Sequence, residues 1–132
     1  MATAEQALAE LTELSTQVHA ATIFDQDGKV AASTLVGGRG DWLAASAKAL
    51  LDAAETVRGE GETAVVQLEA AMPEGSVFVV REGVRVVAAV TDREPTAGLV
   101  FYDLKRCLQS VSAEKPKRKR TAAKTGTSGR PR

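Results

Sequence analysis

Asp25-Gln26-Asp27-Gly28 is the stretch whose residue types come closest to a metal loop, since alternating carboxylates followed by glycine open many calcium sites. The later oxygen ligands are missing, and the twelfth position counted from Asp25 is Val36, where a bidentate glutamate is needed. Asp-Gly between two apolar runs is better explained as a hairpin turn, because glycine accepts a positive φ without a Cβ clash. Gly37-Gly38-Arg39-Gly40-Asp41 places glycines before a helix, as phosphate loops do. It lacks the Gly-Lys-Ser/Thr ending that brings lysine to phosphate, and Asp41 would repel an anion. A flexible connector is the simpler assignment.

Nucleophiles and metal ligands are equally sparse. One cysteine (Cys107) and one histidine (His19) cannot assemble a zinc site from the usual ligands. Cys107 falls on the apolar stripe of a helix, where an inert core thiol is the default. Ser15, Ser33, Ser46 and Ser76 have no visible base partner, and no carboxylate pair has a geometry the sequence supports. The chain is therefore expected to be non-enzymatic, without cofactor, metal or small-molecule substrate. A lone cysteine makes no internal disulfide. The acidic, amphipathic start MATAEQALAELTEL is unlike a secretory signal, and no apolar run approaches the ~20 residues that span a bilayer. A cytoplasmic location is expected.

Charge divides the chain. Residues 1–112 carry nine Lys/Arg against sixteen Asp/Glu, a net of −7, whereas residues 113–132 carry eight cations against Glu114 alone, a net of +7. The first segment is one domain of modest core size. The second has almost no bulky apolar residue to offset the entropy of ordering, and is predicted to be a disordered basic tail. Lys115, Lys117, Arg118, Lys119, Arg120 and Lys124 are its candidate anion contacts, for nucleic acid or an anionic membrane. With no aromatic to stack on bases, nucleic-acid binding would be electrostatic, with a log–log salt slope of about −7 if all eight cations met phosphates. A solubilising tail without a dedicated partner explains the same composition.

The elements that must position these residues follow from periodicity. Ala4, Ala7, Leu8, Leu11, Leu14 and Val18 predict a first helix over 4–18 with one apolar stripe. His19–Asp25 and Lys29–Thr34 read as a hairpin. Thr63–Ala70, Ser76–Arg81 and Val84–Thr91 read as an antiparallel meander turning at Met72-Pro73-Glu74-Gly75 and Glu82-Gly83. The 84–91 strand is apolar on both faces, as a central strand covered on both sides would be. A last helix runs from Pro95-Thr96 to about Ser112, burying Val100, Leu104, Cys107, Leu108 and Val111.

The second helix, Trp42 to about Arg58 with Asp41 as N-cap, is the most informative. Val57, Leu50, Leu43, Ala54 and Ala47 form one stripe; Leu51 and Ala44 widen it on one flank, and Ala53, Trp42 and Ala49 on the other. Together they cover well over half the circumference, against the ~100° that one packing partner needs. Such a helix should touch two things. Trp42 is either a core-edge residue or an interface anchor, tryptophan being enriched at hot spots.

The order helix, hairpin, helix, three-stranded meander, helix resembles the roadblock / dynein light-chain superfamily, in particular bacterial MglB-like members. The residues carrying the resemblance are Leu8-Ala9-Glu10-Leu11, Ala21-Thr22-Ile23-Phe24-Asp25-Gln26-Asp27-Gly28-Lys29-Val30-Ala31-Ala32-Ser33, the alanine-rich helix after Asp41, and Gly75-Ser76-Val77 with Val86-Val87-Ala88-Ala89-Val90. It implies an α+β fold with a five-stranded antiparallel sheet in order 2-1-5-4-3, the first and last helices on one face and the second on the other, a roadblock/profilin-like architecture. It further implies a homodimer joined through the second helix and third strand, acting as an adaptor for a small Ras-like GTPase in bacterial signalling. Trp42, from its own chemistry, and Leu43, Ala47, Leu50, Leu51, Ala54, Val65 and Gln67, from the resemblance, are the candidate interface residues. The sequence leaves open which of them face the partner and which their own sheet; Leu51→Asp is expected to weaken the dimer. The alternative function is a module tethered to nucleic acid or anionic membrane by its basic tail.

Overall fold

The computed structural model describes residues 2–58 and 66–112. Helix α1 spans Ala4–Leu14, followed by β1 (Val18–Asp25), β2 (Val30–Ser33), α2 (Arg39–Arg58), β3 (Gln67–Met72), β4 (Gly75–Glu82), β5 (Arg85–Thr91) and α3 (Ala97–Ser112). All strand pairs are antiparallel, in the order β2-β1-β5-β4-β3. The sheet order inferred from the resemblance is the one observed.

Local chemistry sets the boundaries. A capping box starts α1: Thr3 Oγ1 accepts from the Gln6 N–H while the Gln6 side chain accepts from the Thr3 N–H. The helix ends at Leu14, four residues before the predicted end. Ser15 turns to extended backbone, and Val18, although it continues the 3–4 spacing, opens β1 and is buried in the sheet. Asp25-Gln26-Asp27-Gly28 is the hairpin turn. Asp25 Oδ1 accepts from the N–H groups of Asp27 (2.9 Å) and Lys29 (3.0 Å), and Gly28 sits at φ +89°. Helix α2 begins at Arg39, so Asp41 lies in its first turn and is not its cap.

Alternation sorts the sheet into two faces. Ala21, Ile23, Ala32, Phe78, Val80, Val87 and Ala89 pack beneath α1 and α3, with Phe78 edge-on to Phe101 at 4.9 Å between ring centroids. Phe24, Val79, Val86 and Ala88 pack beneath Leu43, Ala44, Ala47 and Leu51 of α2. Strand β5 is central, and its predicted two-sided burial is what the structure shows. Helices α1 and α3 run antiparallel, since the Thr96 N–H donates to Gln17 Oε1 while the Cys107 thiol reaches the Ala7 carbonyl.

Gly75 opens β4 where a Cβ would run into the backbone carbonyl of Thr91. Gly75→Ala is expected to lower stability by about 1–3 kcal/mol through overpacking against an immovable backbone; urea denaturation measures it. Burial, and secondarily Glu10, pushes the Cys107 thiol from 9.0 to about 12. The folded chain then holds this proton when the unfolded chain has lost it. Stability from this group is complete below pH 9.0 and is lost as pH rises toward about 12. Alkylation of native Cys107 at pH 8 is expected to be about a hundredfold slower or more than in urea; equal rates would place the thiol outside the core.

Candidate partner-binding surface

Among the described residues the polar chemistry stays dispersed. No group of three or more His, Cys, Asp or Glu side chains is placed to hold a metal ion. His19 Nε2 meets Asp92 Oδ2 at 2.9 Å on the surface, and Lys48 meets Asp52 at 3.2 Å along α2. No helix among the described residues is long and apolar enough to cross a membrane. Exposed large apolar side chains lie on both sides of the sheet: Leu14, Leu99 and Tyr102 on α1 and α3, and Trp42, Val57, Val66 and Met72 on the α2 side.

Among the described residues the α2 side of the sheet carries one helix. Helix α2 lies over β1, β2 and β5, and leaves the β3–β4 part of the same face thinly covered. Leu68, Val77 and Val90 are only half-buried at the margin of its cluster. Glu55 Oε2 accepts from Arg81 Nη2 at 2.6 Å, tying the later turns of α2 to β4. The Val66 carbonyl accepts from the Arg81 N–H, so the ladder to β4 continues one residue before β3. Beyond β3 no further strand is paired among the described residues, which makes β3 an edge strand there.

The structure divides the candidate interface residues of α2 into two groups. Leu43, Ala47 and Leu51 are enclosed by their own sheet, at 2%, 0% and 3% exposure. Leu51→Asp would therefore strike the core of the subunit before any interface, which corrects the expected reason for its effect. Leu50 and Ala54 are half-buried, and Trp42 is 69% exposed. On β3, Gln67 is exposed; Val65 lies outside the described residues, as do Lys115, Lys117, Arg118, Lys119, Arg120 and Lys124 of the tail.

Helical geometry explains the division. With Leu43, Ala47 and Leu51 turned to the sheet, Leu50, Val57, Ala53, Trp42 and Ala49 follow one another around one flank at 100° per residue. Ala49 and Ala53 are exposed, and Val57 is 88% exposed. The opposite flank carries Asp41, Lys48, Asp52 and Glu55. Val66 and Met72, 56% and 49% exposed, alternate in phase with Leu68 and Ala70 and so share the α2 face of the sheet. Val57, Val66 and Met72 are not among the interface residues expected from the sequence. The spacing of Ala49 and Ala53 from Trp42 (i+7, i+11) was the available signal for the flank; nothing in the sequence shows that β3 is uncovered.

No protein-family model matches the sequence, and no curated protein matches it. Solved structures do match. A roadblock/LC7 domain from Streptomyces avermitilis is similar at a TM-score of 0.75 and 20% identity, covering 83% of this chain and 95% of that one. An MglB structure described as having a tetrameric arrangement is similar at 0.66 and 19% identity, covering 82% and 86%. Acanthamoeba castellanii profilin II is similar at 0.58 and 14%, covering 83% and 97%. Identities this low speak to architecture, and profilins show that the architecture is shared across protein types. With its sheet order, its two helices against one and these likenesses, the chain has the fold of the roadblock/LC7 domain and MglB structures, set within a wider profilin-like group.

Proposed function

We propose that the chain is a homodimeric adaptor that binds a small Ras-like GTPase and regulates its nucleotide cycle or location, with no chemistry of its own. The observation that carries this is the exposed flank of α2, Trp42 through Val57, beside Val66 and Met72 and the edge that β3 presents among the described residues. Burying one large apolar side chain contributes about 1.5–3 kcal/mol. Association costs about 4–15 kcal/mol in lost freedom, so one exposed residue cannot drive it. A two-fold contact uses every residue twice, which makes the set on α2 and β3 large enough to matter. A β3 edge that meets its own copy antiparallel would also pair the backbone groups left open there. The likeness to an MglB structure described as having a tetrameric arrangement supports self-association as the mode of this fold.

The test is capture of small Ras-like GTPases from the same genome, each loaded with GDP or a non-hydrolysable GTP analogue, on the immobilised full-length chain. Retention of at least one, in one nucleotide state more than the other, is expected. Recovery of none in either state would end the GTPase reading while leaving the self-association reading standing.

A further inference from the structure

The outer face of the α1/α3 pair is a second exposed surface, on the opposite side of the sheet from α2. The two helices run antiparallel and leave between them a groove of about 120 Å³, whose lining includes Ala7, Glu10, Leu14, Asp103, Arg106 and Ser110. That volume is below the roughly 300–1,000 Å³ of small-ligand sites and suits part of one side chain. Leu14 on its rim is 75% exposed.

Charge on this face is one-sided. Helix α1 carries Glu5, Glu10 and Glu13 and no cation. Glu13 lies in the last turn, one turn from Glu10, where the helix dipole favours a positive charge and none is present. Across the groove stands Asp103. Among the described residues none of Glu10, Glu13 and Asp103 belongs to an ion pair. Arg106, the cation in the lining, is turned onto Tyr102. Its guanidinium carbon is 5.8 Å from the ring centroid, and Nη1 donates to the Tyr102 hydroxyl at 3.4 Å.

The chain itself supplies the opposite charge at the end of this groove. Ser110 lines it, α3 ends at Ser112, and residues 113–132 carry a net charge of +7 against −7 on residues 1–112. Pro116 disfavours helix at Lys115, so the chain is expected to leave the helical path there. Asp103 lies nine positions before Ser112, about 14 Å back along α3. About five extended residues cover that distance, which brings Lys117, Arg118 and Lys119 level with Glu10, Glu13 and Asp103.

We propose that the groove between α1 and α3 seats the chain's own basic segment, Lys115 to Arg120. The segment folds back antiparallel to α3, with its cations on Glu10, Glu13 and Asp103 and an aliphatic stem over Leu14. Each exposed ion pair contributes little by itself. The tether offsets this, since a segment joined within a few residues acts at an effective concentration in the millimolar range. Stems of Lys and Arg cover apolar surface while their heads stay in water, which suits the exposed Leu14. A tail held this way is kept from any polyanion until it is displaced, so the groove competes with nucleic acid or an anionic membrane for the same cations. The contact lies apart from the α2 flank and does not depend on the GTPase reading.

The experiment is amide NMR of the full-length chain carrying a nitroxide on Thr121→Cys, attached at neutral pH, where the buried Cys107 keeps its proton. Broadening of amides in 7–14 and 103–110 is expected at low salt. It is expected to fall at least about threefold between about 10 mM and about 1 M salt, as the Debye length drops from about 30 Å to about 3 Å. It is expected to weaken likewise in Glu10→Gln/Glu13→Gln, whose amide dispersion should match the parent because both glutamates are exposed. A mixture of nitroxide-bearing unlabelled chain and isotope-labelled chain without nitroxide should show no broadening. Broadening that is absent, spread evenly, confined to the 25–28 and 82–84 turns, undiminished in the double variant, or present in the mixture (the mark of another subunit's tail) would overturn the proposal.

Discussion

Ala53→Glu is expected to turn the proposed homodimer into monomers, raising the dissociation constant about a hundredfold or more, while the melting curve of the subunit hardly moves. Ala53 is exposed on the open flank of α2, so the single subunit loses no packing. Glutamate is nearly as good a helix former as alanine, and exposed changes of this kind usually stay within about 0.5 kcal/mol. In a two-fold contact the substitution places two unpaired carboxylates in one apolar interface. Desolvating each without a partner costs several kcal/mol. Repulsion from the acidic domain adds to that cost. Sedimentation velocity beside thermal circular dichroism separates the two effects. An unchanged self-associated mass would move the contact surface away from this flank.

Leu51→Asp should have the opposite signature, loss of the cooperative fold itself. Leu51 is two residues from Ala53 but faces the sheet at 3% exposure, in one cluster with Phe24, Val79, Val86 and Ala88. Removing the leucine bulk alone costs about 2–5 kcal/mol. An unpaired buried carboxylate adds several more, against a total stability of about 5–15 kcal/mol for a domain. A cooperative melt close to that of the wild type would show that the sheet does not cover Leu51. Neighbouring positions with contrasting outcomes thus make a sharper test than either alone.

Much of this architecture is written in spacing. The 25–28 turn is legible because Asp-Gly sits between alternating apolar runs, and the central place of β5 because Val86 to Val90 leave no polar face. The stripe of α3 is legible in full. At α1 the helical period runs on to Val18 by coincidence, and the polar Ser15-Thr16-Gln17 step is the better sign of where the helix ends. Asp41 has the chemistry of a cap, yet the chain is already helical at Arg39.

The candidate site was half legible for a different reason. An apolar arc wider than half a helix calls for more contact than one sheet gives, but does not say which part of the arc the sheet takes. Leu43 and Leu51 went to the sheet and Trp42 to the outside, a choice made by where α2 crosses β1, β2 and β5. That crossing is a tertiary fact with no local signal.

Sedimentation equilibrium of the full-length chain across a wide concentration range bears most directly on the central claim, that one subunit exposes on α2 and β3 a surface made to be covered. A limiting mass of at least twice the 13.8 kDa of the chain is expected, falling to a single chain in the Ala53→Glu protein. A wild-type protein that stays at 13.8 kDa at the highest concentration would contradict it.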